Sequence, residues 1–260
     1  MRTRVKTSIV LLLIILPAVL YGGWSFSLVI GIVALLGSME LLHMAKISRA
    51  ITPSFITYIG TLSIVFYDYI KGLIPTHLND AIIPIFAVIF LLICTVLIKD
   101  YDFTKAGVSG LTMFYVGIGA YSAITIRNAD LALFIFILLV VLSTDIGAYF
   151  IGSMIGKRKL SPHISPNKTI EGSLGGIAVS LIMATIYLNF FSFNYTYITM
   201  LVLAVILSIT GQFGDLLESA FKRHFEVKDS GHILPGHGGI LDRFDSTLFT
   251  LTMALILGLV

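Results

Sequence analysis

Asp242 and Asp245 stand three residues apart at the end of the stretch Leu234-Pro235-Gly236-His237-Gly238-Gly239-Ile240-Leu241-Asp242-Arg243-Phe244-Asp245. On a helix that spacing projects both carboxylates from one face. Asp215 and Glu218 repeat the spacing at the end of the preceding apolar run. Between the two pairs, Gly236, Gly238 and Gly239 let backbone N–H groups approach an anion with no Cβ in the way. Lys222, Arg223, Lys228 and Arg243 add positive charge to the same stretch. Carboxylates so spaced suit a hard cation such as Mg²⁺, which takes one or two of them together with substrate phosphates. A single pair of this kind is equally served by ion pairing with Lys or Arg at i,i+3 or i,i+4. Two pairs flanking a basic, glycine-rich loop favour the metal and phosphate reading.

A second polar stretch runs Ser161-Pro162-His163-Ile164-Ser165-Pro166-Asn167-Lys168-Thr169-Ile170-Glu171-Gly172. Ser165 followed by Pro166 reads as an N-cap and N1 residue opening a helix. Lys168 then falls in the first turn, where the helix dipole disfavours a cation unless an anion such as phosphate is held there too. The competing role is to mark the cytoplasmic side, which Lys157, Arg158 and Lys159 already do. Asp145 lies inside an apolar run, in Leu142-Ser143-Thr144-Asp145-Ile146-Gly147-Ala148-Tyr149. An ionisable residue there is a functional candidate, with hydrogen bonding between helices that pack on Gly147 and Ala148 as the alternative. Glu40, nearer the end of its run, reads as an interfacial charge. His232 and His237 could join the aspartates around zinc, but no His-Glu-x-x-His or paired-cysteine spacing supports that. Walker, dinucleotide and nucleophile-elbow motifs are absent.

The elements that must position these groups belong to a membrane. The chain has 260 residues, 57% hydrophobic and 12% charged, with a mean hydropathy of +0.99. A soluble domain carries about 25% charged residues, and this one lacks the polar residues to coat so much apolar side chain. Apolar runs long enough to cross a bilayer fall at 8–21, 25–42, 51–70, 81–98, 107–126, 131–153, 172–192, 195–215 and 246–260. The predicted fold is therefore an all-α, polytopic membrane helix bundle of about nine spans. Gly22-Gly23 is expected to turn the chain between the first two. Pro53, Pro75 and Pro84 fall near run ends, where a missing N–H costs least. The basic start followed by Ile9–Leu20 mimics a signal peptide, but no cleavage pattern follows and a first span is the better reading.

With an internal N-terminus, 15 of the 17 Lys and Arg residues fall on the cytoplasmic side, and only Lys71 and Arg127 fall outside. Cys94 is the single cysteine, so no disulfide forms within the chain. The basic residues hug the membrane, which leaves nucleic-acid binding unsupported. The chain divides into N-terminal spans, 1–106, and a chemistry-bearing region, 107–260, with cytoplasmic loops at 154–171 and 216–245.

The stretch from Ser219 to Asp245 resembles the signature of the phosphatidate cytidylyltransferases, or CDP-diacylglycerol synthases. The family's fixed positions fall on Ser219, Lys222, Arg223, Lys228, Asp229, His237, Gly238, Gly239, Asp242, Arg243 and Asp245. Ser165–Gly172, and Asp145 with Ala148 and Tyr149, are similar too; the N-terminal spans match only in hydropathy. The resemblance implies transfer of a cytidylyl group from CTP to phosphatidate with Mg²⁺, in the cell membrane, by a homodimer. Under it, Asp215, Asp242 and Asp245 hold metal, and Lys168, Lys222, Arg223, Lys228 and Arg243 grip phosphates. Asp229 and His237 join the catalytic set, while Asp145, Ser165, Ser219, Gly238 and Gly239 contact substrate. Two other classes share features of this sequence. A CTP-dependent polyprenol or phytol kinase would need a base for its hydroxyl nucleophile. An ion-coupled transporter would use Asp145 and Asp215 as ion ligands at broken helices, and would leave the cytoplasmic glycine-rich loop unexplained.

Overall fold

The computed structural model describes residues 2–75, 81–234 and 238–260, with backbone alone for residues 2–6 and Ser8. Gly236 and His237, with the side chains of Arg2, Arg4 and Lys6, lie outside the described residues. The chain forms two compact units, Met1–Ile124 with Phe225–Arg243, and Thr125–His224 with Phe244–Val260.

The first unit contains α1 (Arg2–Tyr21), α2 (Gly23–Met44), α3 (Ile51–Val65), α4 (Tyr67–Ile70), a 3-10 turn at Lys71–Leu73, α5 (Ile82–Leu97) and most of α6 (Phe103–Ala129). Gly22 and Gly23 turn the chain between α1 and α2 with φ of 69° and 55°, a region open to glycine at no steric cost. Small residues let the helices close up: the Phe66 ring fills the space beside Gly31, and Met113 that beside Gly60. Buried hydroxyls are satisfied within the bundle, Thr57 on the Pro53 carbonyl and Thr61 on that of Thr57. Bilayer interiors offer no water to do this. Ile85, Phe86, Ile89, Phe90, Ile93 and Val96 leave a wide apolar face of α5 exposed, as a lipid-facing helix requires.

The second unit contains the end of α6, then α7 (Leu131–Ile155), the strands β1 (Lys159–Ser161) and β2 (Ser165–Thr169), α8 (Ile170–Leu188) and α9 (Tyr197–His224). It also holds α10 (Leu241–Ile256) from Phe244 onward. The Asp130 carboxylate caps α7 by accepting the N–H groups of Ala132 and Leu133, the usual work of an N-cap aspartate. α7 and α8 meet through small residues. A Cβ on Gly176 would lie 2.7 Å from the Thr144 carbonyl oxygen, and one on Gly172 would lie 2.8 Å from that of Ala148. This is the close approach that glycines four apart permit between membrane helices.

Each apolar run predicted as a span overlaps a helix. Among the described residues, α2, α6, α7, α8 and α9 are long and apolar enough to cross a membrane, whereas Ile9–Tyr21, α3 and α5 are shorter apolar helices. The protein is thus a multi-pass α-helical membrane protein. One local expectation is corrected. Ser165 does not cap a helix: residues 165–169 form β2, paired antiparallel with β1, with Ser161 opposite Ser165 and Lys159 opposite Thr169. The helix starts at Ile170, because Thr169 supplies the cap through Gly172 N–H to Thr169 Oγ1 at 3.1 Å. The glycines docked on α7 begin at Gly172 and pin that start. Lys168 consequently stands on a strand, outside any helix first turn.

Candidate active site

In the second unit the carboxylates come from three helices. Asp145 projects from α7, Asp215 from α9 and Asp245 from α10. α9 and α10 touch where Gly214 lies. A Cβ there would meet the Asp245 carbonyl oxygen and the Ser246 Cα, both at 2.9 Å, so Asp215 is carried next to the first turns of α10. The charges of Asp215 and Asp145 bear on Asp245, and that of Asp215 bears on Asp145. Lys168 enters this acidic group from β2 and pairs with Asp215 at 2.5 Å. Asp215 also accepts a hydrogen bond from Ser219 Oγ at 3.4 Å. Lys222, one turn beyond Glu218, pairs with that buried carboxylate at 2.6 Å. Arg223 Nε donates to the Ile164 carbonyl, which ties α9 to the β1–β2 turn.

The hairpin itself is fixed by Glu171. Its Oε2 accepts the N–H groups of Lys157 and Arg158 at 3.0 and 3.1 Å, so the basic run before β1 is anchored to the start of α8. In the same unit, an apolar cavity of ≈ 550 Å³ is lined by Leu160, Ile164, Ile209, Phe213, Leu216 and Phe249 among others.

In the first unit the signature loop is folded around carboxylates of the protein itself. Asp242 Oδ2 accepts the N–H groups of Ser230 and Gly239, at 3.0 and 2.8 Å, and lies 2.9 Å from Ser230 Oγ. Glu40, 3% exposed, reaches the same loop from α2. Its Oε1 accepts Ile240 N–H and its Oε2 accepts Leu241 N–H, both at 2.9 Å, and Ser230 Oγ lies 3.1 Å from Oε2. The Ser230 hydroxyl carries one hydrogen and so serves one carboxylate at a time. Gly239 N–H, expected to face a substrate anion, donates to Asp242 instead. Gly238 adopts φ of 85°, a conformation that suits glycine. Lys228, Asp229 and Arg243 are exposed around this loop.

The structure therefore gathers Lys168, Asp145, Asp215, Ser219 and Asp245 in one unit and organises Gly239 and Asp242 in the other. Ser165 lies on β2, half-buried, one residue before Pro166. Among the described residues no three His, Cys, Asp or Glu side chains form a group that could hold a metal by themselves. An ion bound by two carboxylates and substrate phosphates does not require one. Two of the expected ligands fit such an ion: Asp215 and Asp245 are hard oxygen donors, and a divalent cation would relieve the repulsion that Asp215 exerts on Asp245. Sequence reading took Glu40 for an interfacial charge, which its burial and its loop partners correct, and passed over Ser230, Thr169 and Glu171. For Glu40 the available signal was a carboxylate embedded in Gly37-Ser38-Met39-Glu40-Leu41-Leu42, where an ionisable residue needs a partner.

The cytidylyltransferase family's sequence pattern matches residues 2–260. The chain belongs to that family. Among its relatives, the phosphatidate cytidylyltransferase of Bacillus subtilis (strain 168) is 40% identical over 255 residues, covering 96% of this chain and 95% of that protein. Those of Staphylococcus haemolyticus and Staphylococcus aureus (strain COL) are 43% and 42% identical, each covering 99% of this chain and 98% of the relative. The match extends through the N-terminal spans, which shared only hydropathy by inspection.

Proposed function

We propose that the chain transfers a cytidylyl group from CTP to phosphatidate, giving CDP-diacylglycerol and pyrophosphate. The observation that carries this reading is the 40–43% identity, over nearly the whole length, to proteins that bear the name phosphatidate cytidylyltransferase. The lipid phosphate, with a second pKa near about 6, is already a dianion at neutral pH. One of its oxygens attacks the α-phosphorus of CTP, and the bond from that phosphorus to the oxygen bridging to the β-phosphorus breaks as pyrophosphate leaves. No side chain has to activate the nucleophile. The obstacle is bringing two polyanions together. Lys168, poised on Asp215, can exchange that carboxylate for a phosphate when substrate arrives. Lys222, Arg223, Lys228 and Arg243 add charge around the triphosphate, with Asp229, His237, Ser219 and Ser165 as the remaining polar contacts.

Asp215 and Asp245 would hold Mg²⁺, which supplies charge neutralisation to the departing pyrophosphate; the family resemblance adds Asp242 to the expected ligands. The apolar cavity beside Leu216 suits an acyl chain. We place the protein in the cell membrane as a homodimer with about nine spans, its N-terminus and active site cytoplasmic, on the support of the basic-residue asymmetry and the family resemblance. The test is purified protein with radiolabelled CTP and phosphatidate in detergent. Labelled CDP-diacylglycerol is the expected product. Label transfer as a single phosphate to an isoprenoid alcohol, or no product at all, would reject the reading.

A further inference from the structure

We propose that Glu40, on the second helix of the chain, is a positioning residue for the cytidylyl transfer, acting through the loop that presents Asp242 and Arg243. This role rests on the functional reading above. Its physical basis is the unusual use made of this carboxylate. A carboxylate buried to 3% exposure is retained only where its oxygens are fully occupied by donors. Glu40 satisfies that requirement with donors from the far end of the sequence, Ile240 N–H, Leu241 N–H and Ser230 Oγ–H. Two of these belong to the opening of α10, where backbone N–H groups lack partners within the helix and negative charge is favourable. Glu40 thus caps, from another helix, the element on which Asp242 sits.

Steric fit points the same way. A Cβ on Gly239 would lie 2.5 Å from Glu40 Oε2, and one on Gly231 would lie 2.5 Å from Glu40 Oε1. Both glycines leave the room that the Glu40 side chain fills, so the loop is shaped around this carboxylate. Ser230 then couples it to Asp242, since its hydroxyl lies within hydrogen-bond distance of both and its oxygen also accepts Asp242 N–H at 3.3 Å. Moving Glu40 would shift the Ser230 hydroxyl and the first turn of α10, and with them the aim of Asp242 and Arg243. The N-terminal spans consequently contribute to the reaction as well as to membrane anchoring.

The test compares full-length Glu40→Gln and Ser230→Ala with wild type, in detergent, using CTP and phosphatidate. Glutamine keeps the length but turns one acceptor into a donor facing an N–H. Rates are expressed per folded molecule, taken from the monodisperse fraction. We expect kcat to fall about a hundredfold in Glu40→Gln, the scale of a roughly 1 Å misplacement of reacting groups, with KM for CTP changed less than about threefold. Ser230→Ala, which keeps both Glu40 contacts to α10, should lose about tenfold. Combined with Asp242→Asn, Glu40→Gln should cost nothing further, because both act on one unit. Full kcat per folded molecule in Glu40→Gln, or multiplicative losses in the double variant, would reduce Glu40 to a structural residue. If Glu40→Gln yields no folded protein, unchanged kcat in Ser230→Ala overturns the positioning role in the same way. An inactive wild type would overturn the functional reading instead.

Discussion

Asp242 and Asp245 share a helix and a spacing but not an environment. Asp242 is wrapped in loop N–H groups, whereas Asp245 is buried among the carboxylates of its own unit. Asp245→Asn and Asp242→Asn should each remove most turnover, several kcal/mol of transition-state stabilisation. Asp242→Asn should also lower Tm by several degrees, since it weakens two backbone hydrogen bonds. Steady-state kinetics and thermal melting of the purified variants check both; near-wild-type rates at saturating Mg²⁺ would end the metal assignment.

Lys168 has opposite consequences for stability on a helix and on a strand. On a helix first turn its removal would relieve an unfavourable dipole contact. On β2, paired with Asp215, its removal leaves a carboxylate cluster less compensated. Lys168→Gln should therefore lower Tm of the substrate-free protein, as well as kcat/KM by about ten- to a hundredfold. A raised Tm would contradict the pair.

At the scale of elements, the contact of α7 with α8 and the hairpin before it decide where Lys168 and Asp145 stand. Thr169→Ala removes the α8 cap and should cost about 1 kcal/mol of stability. Gly176→Ala forces a Cβ to within 2.7 Å of the Thr144 carbonyl oxygen, a backbone atom that cannot swing aside. The two helices must part, at about 1–3 kcal/mol, the usual cost of overpacking. Because Asp145 follows Thr144 on α7, activity should fall with stability. Denaturation in mild detergent, monitored beside turnover, tests both variants. A Gly176→Ala protein as stable as wild type would mean that α7 and α8 are less closely held than this contact requires.

For the molecule as a whole, topology is the open quantity that can be measured directly. Lys105, Lys168 and Lys228 should face the cytoplasm and Arg127 the outside. Single-cysteine variants at these positions, built on Cys94→Ser, can be probed with an impermeant thiol reagent on intact cells. Labelling at 168 or 228 from outside would overturn the nine-span arrangement. Only position 127 should react before the cells are opened.

The amino-acid sequence alone determined that this chain lives in a membrane, where its helices lie and which signature it carries. Those properties are local or additive: hydropathy sums along a run, and the spacing of Asp242 and Asp245 is the same wherever α10 is placed. Boundaries are not local in this way: whether a helix starts at Ser165 or at Ile170 depends on where glycines dock against α7. The partners of Asp215 and Asp242 were beyond local reading altogether. Lys168 reaches Asp215 across the whole of α8 and most of α9 in chain order, and Glu40 meets Leu241 with a separation of 201. Hydropathy makes Glu40 an edge charge, since nothing within its own helix offers donors. Only tertiary structure brings the loop N–H groups to it, and a buried carboxylate is stable only where such donors converge.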